Sequence, residues 1–247
     1  MHGGLDWLTA RPVAHRGLHG NGVIENSLSA AATALAANYA IEVDLQLSAD
    51  GEIVVFHDDT LERLTTETGP VGERTVAELT RIKLASSGDT IPTLAELLTL
   101  VAGKTPLVLE LKSPWNGDTK LAEKLATQLR DYAGPVAAMS FDPDLVAALK
   151  ANAPGLPRGI VAERWYGYKD WDFLSSGRKH ALGLLLHIFR TKPHFVAYAQ
   201  FDLPAIAPLI ARFLFGMPLL TWTVRTENER SRVSKWVNQL IFEHIRP

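Results

Sequence analysis

The chain has 247 residues, of which 47% are hydrophobic, and its 25 basic and 27 acidic residues leave a formal net charge of −2. That composition supports a substantial core and excludes the electrostatic footprint of a nucleic-acid binder. Cysteine is absent, so disulfides and thiolate metal sites are excluded too. The opening "MHGGLDWLTARPVAHRG" has no basic stretch followed by an apolar core, so no secretory signal is expected. No uncharged apolar run reaches the roughly 18–20 residues of a membrane span. The nearest, "LPAIAPLIARFLFGMPLLTW", is broken by Arg212 and by Pro204, Pro208 and Pro218. A cytoplasmic protein without a transmembrane segment is the expectation.

Short apolar runs alternate with helical patterns along the chain. Strands are expected at Pro12–Arg16, Ile41–Leu47, Pro106–Lys112, Pro135–Phe141, Arg158–Ala162, Phe195–Phe201, Pro218–Val224 and Gln239–Glu243. Between them, "SLSAAATALAAN" has strong helix propensity. "TLAELLTLVAG" carries Thr93 and Glu96 at capping-box spacing and ends at Gly103. "LAEKLATQLRDYAG" and "DPDLVAALKANAPG" repeat the pattern. "HALGLLLHIF" fits a buried helix or a buried strand. It is taken as helix, since a strand there would make an open doubly wound sheet competitive. Eight strands separated by helices point to a (β/α)₈ TIM barrel. The expected organisation is one domain over residues 1–247. Residues 50–91 exceed an ordinary strand-to-helix connection and form an insertion after the second strand.

The second strand and the start of that insertion read "AIEVDLQLSADGEIVVFHDD". Ile41, Val43, Leu45 and Leu47 alternate with Glu42, Asp44 and Gln46, so one strand face is aliphatic and the other presents two acids. Asp50-Gly51 marks a hairpin. A two-residue loop pairs Ala49 with Glu52 and sets His57 opposite Asp44. A three-residue loop would turn His57 to the other face.

The polar residues of the other strands also fall at carboxyl ends, where barrel active sites sit. The first strand ends in His15-Arg16, and the third carries Glu110 and Lys112 on one face. Three carboxylates, Glu42, Asp44 and Glu110, repel one another unless a cation neutralises them. Oxygen-only ligands suit a hard ion such as Mg²⁺ or Ca²⁺. Arg16 and Lys112 suit phosphate oxygens, and His15 and His57 suit general acid–base work. Taken singly, each has a plain structural role: Glu110 and Lys112 as a same-face ion pair, Arg16 and Asp58 as a salt bridge. Their joint occurrence on ordered strand ends describes phosphate-ester hydrolysis.

The segments "AHRG", "IEN", "IEVDLQLSADGEIVVFHDDTLERLT", "LELK" and "TWTV" resemble the glycerophosphodiester phosphodiesterase family, with its His-Arg, Glu-x-Asp and His-Asp pattern. The likeness is specific through Lys112 and covers both chain ends. It implies a phosphodiesterase barrel with a divalent metal (Mg²⁺ or Ca²⁺) on Glu42, Asp44 and Glu110. It also implies acid–base roles for His15 and His57, phosphate contacts from Arg16 and Lys112, and an insertion that caps the site. The substrate is then a small glycerophosphodiester, cleaved to glycerol 3-phosphate and an alcohol. Asn26 is expected as a phosphate or supporting contact, and Trp222 as a wall of the substrate pocket. Ser27 stands where the family often has threonine. Glu243 stands near the place of an acid that often ends the last strand, and no role is assigned to it. The aromatic cluster "ERWYGYKDWDF" is read as a lid, a lipid-touching patch or plain rim packing. Two rival functions accompany this one: a lysophospholipase D acting on lipid diesters with peripheral membrane contact, and a catalytically silent diester- or metal-binding module.

Overall fold

The computed structural model describes residues 4–85 and 87–247; Ser86 of the expected insertion and the first three residues of the expected domain lie outside the described residues. Among the described residues nine strands are formed: β1 (Val13–Ala14), β2 (Ala40–Leu47), β3 (Ile53–Val55), β4 (Leu107–Leu111), β5 (Val136–Ser140), β6 (Arg158–Ala162), β7 (Phe195–Ala199), β8 (Leu219–Val224) and β9 (Gln239–Phe242). All but β3 run parallel in the order β1-β2-β4-β5-β6-β7-β8-β9, and β1 pairs with both β2 and β9. The ring is therefore closed, as a (β/α)₈ barrel requires.

The helices are α1 (Asp6–Thr9), α2 (Leu28–Ala36), α3 (Val76–Leu79), α4 (Leu94–Val101), α5 (Lys120–Gln128), α6 (Pro143–Asn152), α7 (Ser176–Gly183), α8 (Ile188–Thr191), α9 (Ile206–Phe213) and α10 (Glu227–Val233). Local sequence starts and stops several of them. Ser27 Oγ accepts the Ala30 amide at 3.0 Å, and Thr93 and Glu96 form the expected capping box. Asp142 caps α6, with Pro143 in its first turn. The ambiguous "HALGLLLHIF" contains no strand: it ends α7, turns over 184–187 and begins α8.

Strand alternation builds two layers. Outward residues such as Ile41, Val43, Leu107 and Leu109 pack with Ala31, Ala34, Leu94, Leu97, Leu121 and Leu125 of α2, α4 and α5. Inward residues Val13, Ala40, Val108, Val161, Phe195, Leu220 and Ile241, with Leu8 of α1, fill the barrel interior. Gly159 makes room there, since a Cβ at that position would lie 2.3 Å from the Phe195 ring. Two residues further along the same inward phase stand His15, Glu42, Glu110, Glu163, Trp222 and Glu243. The apolar layer thus carries a polar layer at the carboxyl ends of the strands.

Two local expectations are corrected. The first strand stops pairing at Ala14 rather than reaching Arg16. Arg16 and Gly17 turn away in the left-handed region, with φ of 54° and 77°. A Cβ on Gly17 would approach the Ala30 backbone to 2.8 Å, so glycine is required where this turn crosses α2. The hairpin loop holds three residues, not two: Ser48 N–H donates to Glu52 O at 2.9 Å, and Gly51 takes a positive φ of 78°. A three-residue loop closed by a left-handed glycine is a favoured hairpin geometry. Val55 therefore faces Leu45, and Phe56, not His57, comes opposite Asp44, donating its amide to the Asp44 carbonyl at 3.0 Å. Phe56 turns into the insertion's own apolar cluster with Val54, Leu61, Val71, Leu79, Leu84 and Ile91.

Candidate active site

His57 follows the end of β3 and so escapes strand alternation. It lines a cleft of about 610 Å³ together with His15, Arg16, Asp44, Glu110, Lys112 and Trp222. Seven of the nine residues singled out in the sequence thus share one wall-to-wall space. The other two touch its lining: Asn26 Nδ2 donates to Asp44 Oδ2 at 2.8 Å, and Glu42 Oε2 accepts the Arg16 amide at 2.9 Å.

Glu42, Asp44 and Glu110 are all buried, and one carboxylate oxygen from each lies within 4.8 Å of the others. Asp44 is well supplied with partners. Lys112 Nζ stands 3.3 Å from Oδ1, Arg16 Nε stands 3.3 Å from Oδ2, and Asn26 grips both its side chain and its amide. Burial works to raise the Asp44 pKa, but Lys112, His57 and Arg16 together hold it well below the usual carboxylate range. Glu42 is the opposite case. Burial first, then the neighbouring Asp44 and Glu110, push its pKa well above the ordinary value. Its Oε1 is buried without a hydrogen-bond partner. An oxygen-only triad with one orphaned carboxylate oxygen fits a hard divalent cation. The Glu110–Lys112 pair exists as well, at 3.0 Å.

Each histidine is held by a carboxylate at Nδ1. His15 Nδ1 lies 2.6 Å from Glu243 Oε1, and His57 Nδ1 lies 2.7 Å from Asp58 Oδ1. Both carboxylates are kept ionised. For Glu243 burial opposes this, and the hydrogen bond from His15, the nearby His19 imidazole at 3.6 Å and the charge of Arg225 overcome it. For Asp58 burial is overcome by His57 and Arg63. An ionised acceptor makes Nδ1 the protonated nitrogen and leaves Nε2 for chemistry. Burial lowers the His15 pKa, against the pull of Glu243.

The Arg16–Asp58 bridge, the plain alternative to a functional role, is replaced by a longer chain. Arg16 Nη1 donates to Glu25 Oε1 at 2.6 Å, and Arg63 Nη2 reaches Glu25 Oε1 at 2.7 Å and Asp58 Oδ1 at 2.8 Å. Trp222 donates its indole N–H to the Ala197 carbonyl at 3.2 Å and packs edge-on against Phe141 at 5.4 Å. Sequence reading passed over Glu25, Arg63, Glu163, Arg225 and Glu243 as functional residues. The inward phase of β6 and β9 was the available signal for Glu163 and Glu243. Arg63 lies inside the quoted "HDDTLERLT", but its pairing with Asp58 and Glu25, 5 and 38 positions away, is set by the fold.

A profile of the glycerophosphoryl diester phosphodiesterase family matches residues 15–244. A glycerophosphodiester phosphodiesterase of Caldanaerobacter subterraneus is 29% identical over 238 residues, covering 90% of this chain and 89% of that protein. Among solved structures, a phosphodiesterase of Oleispira antarctica in complex with its product sn-glycerol-3-phosphate superposes with a TM-score of 0.79 at 22% identity. That match covers 96% of this chain and 94% of the other. A glycerophosphodiester phosphodiesterase of Thermotoga maritima gives 0.72 at 23% identity, covering 94% of each chain. The two structures share the barrel; the profile, spanning nearly the whole chain and every residue of the cleft described above, places this protein in the glycerophosphoryl diester phosphodiesterase family.

Proposed function

We propose that the protein hydrolyses glycerophosphodiesters to glycerol 3-phosphate and an alcohol, with a divalent cation on Glu42, Asp44 and Glu110. Those three carboxylates would hold the cation, which would supply charge neutralisation and Lewis-acid polarisation of a phosphoryl oxygen. Lys112 and Arg16 supply the remaining positive charge at the phosphate end of the cleft, and Asn26 holds Asp44 in place. His15, with Nδ1–H engaged by Glu243, offers a lone pair at Nε2 to take the proton of the attacking hydroxyl. That hydroxyl belongs to water or to the substrate's own glycerol. His57, with Nδ1–H engaged by Asp58, delivers a proton from Nε2 to the departing alkoxide. Trp222 forms part of the substrate wall. The observation that carries this reading is the meeting of a buried carboxylate triad with two carboxylate-anchored histidines in one cleft.

The test is hydrolysis of glycerophosphocholine, followed as release of glycerol 3-phosphate. Chelation is expected to abolish turnover, and Mg²⁺ or Ca²⁺ to restore it and to raise the melting temperature of the chelated protein. Full activity in rigorously metal-free protein would overturn the cation's role. A lipid-bearing diester is a second reading, favoured by the exposed Trp165, Tyr168, Phe173 and Phe201 beyond β6 and β7. Lysophosphatidylcholine assayed beside glycerophosphocholine decides between them. No helix among the described residues is long and apolar enough to cross a membrane.

A further inference from the structure

The outer helices of the barrel do not meet solvent alike. α2, α4 and α5 turn Ser29, Thr33, Glu96, Thr99, Glu123 and Thr127 outward, as surface helices do. Among the described residues, every large hydrophobic side chain that is exposed lies between Trp165 and Phe215. On α9 the reversal is complete. Its inner face buries Pro208 and Ala211 against the barrel, while Ile206, Ile210 and Phe213 recur at helical spacing on the outside. Ile206 is 78% exposed and Phe213 65%, and Leu214 and Phe215 continue the strip past the helix end. α8 leads into β7 and α9 leads out of it, so the two are neighbours on the outer ring. There the turn before α8 adds Leu184 and Leu186, and α8 itself adds Phe189, also 78% exposed. The core is complete without these side chains, so they form a surplus apolar flank of the kind that marks an interaction surface.

The flank is also basic. Residues 176–216 hold five basic residues, Arg178, Lys179, Arg190, Lys192 and Arg212, against the one acid Asp202, in a chain whose net charge is −2. Arg190 is paired with Asp144 at 2.7 Å. Lys192, Arg212 and, from the turn after α10, Lys235 have no carboxylate partner among the described residues. Arg212 Nη1 donates to the Lys235 carbonyl at 3.3 Å, which sets those two cations side by side. Arg212 lies over the Phe213 ring at 4.8 Å, and Lys235 over the Trp236 ring at 5.0 Å.

We infer that the outer face of α8 and α9 docks on an anionic lipid surface. An apolar strip edged by unpaired cations lets the rings enter the acyl boundary while the long basic side chains reach back to the headgroups. A second copy of this chain fits the face less well. Two-fold pairing would bring Arg212, Lys192 and Lys235 of both copies into one interface, with no acid there to offset them. The inference is independent of which diester the cleft accepts, and of the hydrolytic reading itself.

The experiment is co-sedimentation of the full chain with vesicles of phosphatidylcholine, with and without phosphatidylglycerol. The anionic vesicles are expected to bind the protein at least about 5-fold more tightly than the neutral ones, and added salt to release it. Phe189→Ser with Phe213→Ser should lower the partition coefficient on anionic vesicles by about 10–100-fold. Lys192→Gln with Arg212→Gln should lower it by roughly 10–30-fold there and leave binding to neutral vesicles unchanged. All four side chains point away from the core, so melting temperatures are expected to stay near that of the wild type. Wild-type protein that remains in the supernatant with anionic vesicles would overturn the inference, with no variant needed. So would vesicle binding that survives both pairs of substitutions. A dimer in sedimentation velocity that the phenylalanine pair dissociates would assign the face to a second copy and overturn the lipid assignment.

Discussion

Glu42 and Asp44 are two residues apart on one strand face, yet their electrostatic situations are opposite. From sequence, the crowding of three carboxylates suggests that Asp44→Asn would leave the metal-free protein as stable or more stable. The structure moves the strain to Glu42. Asp44 faces Lys112, Arg16 and Asn26, whereas Glu42 keeps a buried oxygen with no partner. Removing the Asp44 charge takes one carboxylate partner from the half-buried Lys112 and Arg16, which keep Glu110 and Glu25, at a cost of about 1–3 kcal/mol. In chelator, Asp44→Asn is therefore expected to lower the melting temperature and Glu42→Gln to raise it. The pH dependence follows from the shifts. The Asp44 pKa is depressed, so its contribution is present above the ordinary carboxylate value and is lost as pH falls through the folded one. The Glu42 pKa is raised, so the metal-free protein loses stability as pH climbs above the ordinary glutamate value. Melting curves of both variants across acid to neutral pH, with chelator, check this. Stabilisation by Asp44→Asn would contradict the assignment.

At the scale of elements, the two histidines are held by different parts of the fold. His15 follows β1 and is anchored to Glu243 just after β9, two strands paired within the ring. His57 belongs to the insertion, and it is fastened by Asp58, Arg63 and Glu25 in an alternating series of charges that ends at Arg16. The insertion borders the cleft through His57, Asp58 and Asp59, and on the proposed reading His57 would serve the leaving group and His15, on the barrel, the attacker. An alkoxide leaving group needs its proton; a p-nitrophenolate barely does. His57→Ala is thus expected to cost about 10²–10⁴-fold on glycerophosphocholine and little on a p-nitrophenyl diester, whereas His15→Ala harms both. Arg63→Ala should show the His57→Ala signature in weaker form, since it loosens Asp58 without removing the imidazole, and Arg63→Lys should recover part of the loss. Selective rescue of His15→Ala by the activated diester would reverse the two roles.

At the scale of the whole molecule, the barrel divides into an apolar floor and a polar mouth, and the floor sets the geometry of the mouth. Phe195 is fully buried and lies against Gly159 of the neighbouring strand. The ring fills the space of the missing side chain. Gly159→Ala forces that ring to move within a packed layer, and a loss of about 1–3 kcal/mol is expected on urea unfolding. Glu163, four residues on and just past the end of β6, lies above this layer and borders the cleft, so a drop in glycerophosphocholine hydrolysis should accompany the loss of stability.

The sequence by itself determined whatever depends on period and local chemistry. Eight strands, their helices, the caps at Ser27 and Thr93, and the inward phase of Glu42, Asp44 and Glu110 follow from alternation and capping, which act over a few residues. The likeness of "AHRG" and "IEVDLQLSADGEIVVFHDD" to a known family extended that reading to the chemistry. Only the tertiary structure decided what depends on distance across the ring. The hairpin register hung on one loop residue, and His57 reached the cleft by leaving the strand rather than by obeying its alternation. The electrostatic contrast between Glu42 and Asp44 depends on Lys112, Arg16 and Asn26, which arrive from other elements. The anchoring of His15 by Glu243 joins residues 228 positions apart. Barrel closure brings those two ends of the chain together, and no local pattern encodes it.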